Sequence, residues 1–395
     1  MGINVVVTGI GIISALGKGV EVNKKNIFLK DSFIGYPEFL RLKNKEIVAG
    51  EVKYNDDELQ KFAKLSKKFS RTSMLSIIAV QEAVEDAGYQ SSFSNKEVAI
   101  VSSSTVGGIR EIENRYKKYI LGDLCDPYLD SHEGASITED LARLLNINQN
   151  VSINTACSSS LNSIMLGARM IKNGICDVAI VGGSDALSKY TLNGFNSLFL
   201  LDKDVCSPFD RNRKGINLGE AAGYLILESE ESAKSRNKIA RATISGYGNA
   251  NDAFHATSSS SEVTGLCLAM EKSLQMGKLK ACDIDYINAH GTGTRNNDIT
   301  EIAAMKKIFD QVPIFSSTKS KTGHCLAAAG VIESIFSIFA LQMNKPIISY
   351  NFSNPMDDDL LTPYTGENFD KDICHVMNNS IAMGGFCSSL IFSKV

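Results

Sequence analysis

The chain has 395 residues and carries 41 Lys and Arg against 44 Asp and Glu, a formal net charge of −3. That balance argues against bulk nucleic-acid binding, and 44% hydrophobic with 22% charged residues leaves ample apolar side chain for a large core. Nine scattered cysteines, with no CxxC pair and no His/Cys cluster at metal spacing, predict neither a disulfide framework nor a metal site, and fit a reducing cytoplasm.

The opening MGINVVVTGIGIIS lacks the basic region and cleavage site of a secretory leader and reads as a strand, Asn4–Thr8. No uncharged run approaches transmembrane length, so no membrane association is expected. The first strong helix is Thr72–Ala87, apolar nearly all round and closed by Gly88. Val/Ile-rich strands follow at Val98–Ser102, Val151–Asn154, Val178–Val181 and Tyr224–Glu228, and their apolar runs predict burial on both faces. A helix over Leu161–Lys172 ends before Gly174. The charged stretch Ser229–Lys238 is the best internal boundary and predicts two units, 1–235 and 236–395. Beyond it come strands Ala242–Tyr247, Tyr286–Ala289, Ile314–Ser317 and Ser389–Ser393, and a helix over Val331–Leu341. This alternation predicts α/β layers. VSINTACSSSLNSIMLGA and PIFSSTKSKTGHCLAAAGVIESI share one order of strand, Ser/Thr-rich turn and small-residue helix, a faint echo that either a pseudo-twofold or chance would produce.

The chemistry-bearing residues sit at the ends of these strands. Cys157 stands where a strand gives way to a helix, and a helix start offers unpaired N–H groups and a positive dipole end. Both are expected to lower the thiol pKa. His290 closes Tyr286–Ala289 in NAHGTGT, and Lys319 and His324 follow Ile314–Ser317 in STKSKTGHCLAAAG. Sites in open α/β sheets form at the carboxyl ends of strands, so these residues form a constellation suited to nucleophilic catalysis. The GEAAG glycines lack GxGxxG order and a Walker lysine, so they are not a phosphate loop. His132 and His375 match no motif.

NTACSSS, NAHGTGT with the following NDITE, and SSTKSKTGHCLAAAG resemble the three signature blocks of elongating β-ketoacyl-acyl-carrier-protein synthases, condensing enzymes of the thiolase fold. SPFDRNRKGINLGEAAGYLILE, NDAFHATSS and NNSIAMGGFCSSLIF are similar to further blocks of that family, so the resemblance spans nearly the whole chain. It implies an α/β, thiolase-like fold of two pseudo-symmetric halves in an α-β-α-β-α arrangement. The implied reaction is decarboxylative Claisen condensation of an acyl-enzyme with a malonyl thioester. Substrates ride on the phosphopantetheine of acyl carrier protein, with no other cofactor.

Carried over by resemblance, Cys157 is the nucleophile, and its own N–H and that of Met383 form the oxyanion hole. His290 and His324 are neutral donors to a developing enolate. Lys319 pairs with Glu301. Thr292 and Thr294 hydrogen-bond the pantetheine arm, and His255 and Thr257 lie near the substrate channel. Lys64, Lys67, Lys68 and Arg71 form a basic cluster suited to docking an acidic carrier protein. A dimer is implied through a strand near Asn173–Ser184, either a homodimer or a heterodimer with a homologous chain-length factor.

The chain departs from the family in its closing loop, which reads NSIAMGGFC where the family has NSFGFGGTN. Ile381 and Met383 replace aromatic residues, Ala382 replaces a glycine, and Ile216 replaces another aromatic. Ala382 lacks glycine's backbone freedom, so the loop is expected to take another path or to move less. These changes suggest a specialised pathway. The alternatives are a polyketide or aryl-polyene ketosynthase, and a non-catalytic chain-length partner. Retention of Cys157, His290 and His324 opposes the latter. A thiolase would carry a second cysteine in a CxGGG setting, which Cys387 lacks. A coenzyme-A-primed initiating synthase would carry Asn in place of His324.

Overall fold

The computed structural model describes every residue except 1, 45, 90–92, 94, 123–127, 357–360 and 368. Among the described residues the strands, in chain order, are β1 Val5–Ser14, β2 Gly17–Lys18, β3 Val98–Ser103, β4 Gln149–Ile153, β5 Val178–Asp185, β6 Ala221–Ser229, β7 Ala242–Asn251, β8 Tyr286–Asn288, β9 Ile314–Ser316, β10 His375–Ile381 and β11 Phe386–Ser393. The short β2 pairs only with β1, and the others lie in the order β4-β3-β5-β6-β1-β7-β11-β10-β8-β9. This is one five-strand pattern used twice. The order β4-β3-β5-β6-β1 recurs as β9-β8-β10-β11-β7, read from the other end. In each set the first three strands are parallel and the next two steps antiparallel. The sets join where β1 meets β7 antiparallel over Val5–Val7 and Ala242–Ile244.

Three apolar clusters define the layers. Helices Ser159–Lys172 and Ala329–Met343 occupy the middle, where Leu161, Ile164, Val331 and Phe336 pack with Val181 and Leu225 from one sheet face and Val376 and Leu390 from the other. Helices Arg71–Asp86 and Ala135–Leu145 cover the outside of the first strand set, and Thr264–Gly277 and Arg295–Ile308 cover the second. The result is α-β-α-β-α. A helix enclosed on both sides must be apolar all round, and every residue of Ala329–Met343 up to Leu341 is buried. Truncating a fully buried ring such as Phe336 to Ala should cost about 3–5 kcal/mol. Leu326–Met343 is also the one described helix long and apolar enough to cross a membrane, and it is almost wholly buried in this core.

The two central helices touch at their starts. A Cβ on Gly330 would lie 2.9 Å from the Leu161 nitrogen, so only glycine permits this approach. The Ser160 hydroxyl oxygen accepts the Val331 N–H at 2.9 Å, so one helix caps the other. The turns before them, which carry Cys157 and His324, are thereby brought face to face.

Two expectations require correction. The strand expected to pair subunits, near Asn173–Ser184, is β5, which is hydrogen-bonded on both sides by β3 and β6 and has no free edge. The free edge belongs to β4, whose Gln149–Ser152 are exposed. Apolarity along a strand reports burial of its faces, whereas edge position is decided by pairing. Secondly, β10 is unexpected, because its buried Asn378, Asn379 and Ser380 break the apolar pattern of a strand. Tertiary partners allow this, since Asn378 donates to the Gly330 carbonyl and the Ser334 hydroxyl at 3.0 Å each.

Candidate active site

The Cys157 turn is built by its neighbours. Ala156 holds φ +51°, a left-handed conformation that costs a residue with a Cβ about 1–2 kcal/mol and turns the chain sharply into the helix. The serines that follow stabilise it. Ser158 donates to the Thr155 carbonyl at 2.8 Å, and Ser159 accepts the Thr155 N–H at 2.8 Å. From β10, the Ser380 hydroxyl donates to the Cys157 carbonyl at 3.1 Å. The thiol is only 9% exposed. Burial pushes its pKa up to about 11, against the Lys319 charge and the backbone N–H groups of Met383 and Cys157, which favour the thiolate. The expected depression at the helix start is therefore reversed, because desolvation outweighs the donors.

His324 arrives on a second turn. Gly323, at φ +72°, sits where a Cβ would be 2.5 Å from the Leu218 carbonyl oxygen, and the His324 N–H donates to the Asn217 carbonyl at 2.7 Å. This aims His324 Nε2 at Cys157 Sγ, 2.9 Å away. His290 stands beside it, with ring centroids 5.4 Å apart and planes nearly perpendicular. Burial, then the Lys319 charge, holds both imidazoles well below the usual histidine range, so both are neutral at pH 7. Lys319 Nζ lies 3.2 Å from His290 Nδ1 and donates to the His290 carbonyl at 2.6 Å. An ammonium can only donate, so Nδ1 accepts and the His290 proton sits on Nε2.

The expected Lys319–Glu301 pair is not formed. Lys319 pairs with Glu333, on the central helix, and both are buried. Removing one partner of such a pair typically costs about 3–5 kcal/mol. Glu301 instead accepts the N–H groups of His290 and Gly291 at 2.7 Å each, and burial raises its pKa to about 7. Asp298 similarly accepts from Thr292 and Gly293, and Asp185 accepts the Ala327 N–H at 2.8 Å and the Ser104 hydroxyl at 2.6 Å. Of these carboxylates only Glu301 was singled out in the sequence, in another role, as the partner of Lys319. Of the others only Glu333 left a signal there, as the lone charge in an apolar helix.

A cavity of about 840 Å³ reaches Cys157, His290 and His324, with Thr292, Thr294, Ile216, Ile381 and Met383 also on its wall. The Thr292 and Thr294 hydroxyls lie 2.8 Å apart. Ala382 keeps a negative φ, and the left-handed turns of the loop fall on Gly384 and Gly385, at φ +84° and +77°. Thr257 lines the cavity and its N–H donates to Nδ1 of the exposed His255 at 3.1 Å. Lys64, Lys67 and Lys68 are exposed and off the cavity wall. Arg71 cannot belong to a docking cluster with them: it is fully buried, bound to Glu220 and Asp56 at 2.7 Å. Among the described residues no group of three or more His, Cys, Asp and Glu could hold a metal ion. Behind Lys319, Glu333 Oε2 and the Oδ1 atoms of Asn288 and Asn378 are buried acceptors without a donor among the described residues.

A duplicated α/β unit that meets a cysteine from one half with two histidines from the other, under backbone donors, defines a thiolase-fold condensing enzyme. Family models agree: residues 3–233 match "Beta-ketoacyl synthase, N-terminal domain" and residues 241–352 match "Beta-ketoacyl synthase, C-terminal domain". The chain belongs to the beta-ketoacyl synthase family. It is 31% identical over 415 residues to 3-oxoacyl-[acyl-carrier-protein] synthase 2 of Staphylococcus aureus, covering 99% of this chain and 98% of that one. The Vibrio cholerae enzyme of the same name is 32% identical over 416 residues, covering 99% of each. Similar solved structures include the ishigamide ketosynthase/chain length factor, at TM-score 0.92 and 28% identity over 100% of both chains. A ketosynthase in complex with its chain length factor from Xenorhabdus doucetiae has TM-score 0.84 and 28% identity, covering 100% of this chain and 98% of that one.

Proposed function

We propose that the protein elongates acyl chains carried on acyl carrier protein, in the cytoplasm, with Cys157, His290 and His324 as its catalytic residues. The observation that carries this reading is the 2.9 Å approach of His324 Nε2 to Cys157 Sγ beneath the Met383 and Cys157 N–H groups. Cys157 sulfur attacks the acyl thioester carbon, the carrier's sulfur leaves with the thiol proton, and the two N–H groups hold the oxyanion. A malonyl thioester then enters. Its bond to the carboxyl carbon breaks, carbon dioxide leaves, and the electron pair forms an enolate whose oxygen takes hydrogen bonds from the Nε2–H groups of His290 and His324. The enolate carbon attacks the Cys157 thioester, the new carbon–carbon bond forms, and the thiolate is released and reprotonated. Lys319, fixed by Glu333, keeps the His290 proton on Nε2. Thr292 and Thr294 bind the pantetheine arm, and Ile216, Ile381 and Met383 shape the acyl pocket.

The test is a condensation assay with malonyl carrier protein and acyl primers of graded length, including conjugated ones. Formation of the two-carbon-longer β-ketoacyl product, with an acyl adduct on Cys157 by intact mass, supports the reading. An adduct on another cysteine would overturn it.

A second reading, a specialised ketosynthase working beside a chain-length factor, is favoured by the altered closing loop, and the exposed β4 edge suits a dimer of either kind. The outward backbone groups of this five-residue edge strand are a template for a second chain, whether a copy or a homologue. Sedimentation showing a stable monomer at micromolar concentration would count against either dimer.

A further inference from the structure

The rim of the active-site cavity carries a large apolar side chain that the fold does not use. Phe199 lines the cavity mouth and is 91% exposed. Beside it Leu198 is also exposed. The backbone makes the exposure more telling. Helix Lys189–Ser197 ends in a two-bond cap, with the Phe199 N–H donating to the Asn196 carbonyl at 3.0 Å and the Leu200 N–H to the Phe195 carbonyl at 3.1 Å. This is the helix ending in which the residue at the Phe199 position turns left-handed, and glycine ordinarily stands there. Phe199 adopts it at φ +56°. A ring in water and a strained backbone are two local costs without a local return, which is where a functional reason is sought.

The same wall is one-signed. Arg211, Arg213, Lys214 and Arg295 line the cavity, and none of its lining residues is Asp or Glu. Arg211, Lys214 and Arg295 are exposed, Lys214 with Asp204 3.3 Å away outside the lining, whereas Arg213 is buried beside Asp298. An apolar anchor set in a positive rim matches a partner with an acidic surface and a small apolar contact at its centre. We propose that Phe199 is the apolar anchor for the carrier protein at this mouth, seated between the carrier's acidic contacts to Arg211, Lys214 and Arg295. This rests on the reading of the protein as a carrier-dependent condensing enzyme.

Two variants separate docking from a structural role. Phe199→Gly relieves the left-handed strain, so its thermal midpoint should equal or exceed that of the parent. Phe199→Asp adds a charge that repels an acidic partner. Acylation of Cys157 is measured by intact mass from octanoyl-loaded acyl carrier protein and, separately, from octanoyl-N-acetylcysteamine, a small thioester with no protein to dock. The ratio of kcat/KM for the carrier to that for the small thioester should fall about tenfold in Phe199→Gly and further in Phe199→Asp, through KM. The parent ratio should also fall as salt rises. An unchanged ratio in both variants overturns the proposal. So does conversion of a dimer to monomer by Phe199→Asp with the ratio intact, which would assign the surface to a second copy of the chain. Failure of the parent to be acylated from either donor would instead overturn the condensing-enzyme reading.

Discussion

The turn after β4 and the turn after β9 occupy equivalent places in the repeat, yet they carry opposite equipment. The first is short: one strained residue, Ala156, puts a neutral thiol directly at the start of a central helix. The second is longer. It inserts the helical segment Lys319–Thr322 and Gly323 before His324, and so buries an ammonium and presents an imidazole. The charged residue on one helix, Glu333, holds Lys319 of the second turn, while on the other helix Ser159 braces the first turn and Ser160 caps the helix that follows the second. Equivalent topology therefore supplies two facing positions, and turn length and caps decide what each presents. The sheet edges diverge in the same way: β4 is exposed along Gln149–Ser152, whereas the equivalent β9 is largely buried.

Removing the first turn's contribution should have the largest effect. Cys157→Ser should lower condensation on the order of 10⁴-fold or more and abolish the acyl adduct seen by intact mass. An adduct persisting in that variant would end the assignment of roles to the two turns. His324→Ala removes the second turn's donor and should slow malonyl decarboxylation on the order of 100- to 1,000-fold while Cys157 still accepts an acyl group. Equal losses in both half-reactions would show that the turns are not separable in function.

The pH response sharpens the same contrast. With its thiol pKa raised to about 11, Cys157 is protonated at neutral pH, and the thiolate fraction grows as pH rises toward that value. Alkylation of Cys157 by iodoacetamide should therefore climb about tenfold per pH unit from pH 7 to pH 9. A plateau near pH 8 would mean that the helix start and the second turn's lysine overcome burial after all. The smallest effect belongs to the hairpin that joins β10 to β11 and overhangs both turns. Met383→Phe restores a ring on the cavity wall and should shift the preference between short and long primers by about tenfold, with short-primer acylation retained. An unchanged ratio in competition assays would place chain-length control elsewhere.

Cys157, before a run of serines, and the glycine-flanked His290 and His324 were legible because turns at strand ends need particular residue types, and those types stand in short contiguous blocks. The apolar strands and the buried helix over Val331–Leu341 were legible because burial on both faces leaves no room for polar alternation. The edge strand, the polar β10, the partner of Lys319 and the burial of Arg71 were not. Each depends on what lies across the fold. Glu333 and Glu301 are both acidic residues on helices, and only the packing of Ala329–Met343 against the second turn puts Glu333 within reach of Lys319 while Glu301 faces the His290 backbone. The thiol pKa reverses for the same reason: a helix start is written locally, but the desolvation that outweighs it is created by three layers closing around Cys157.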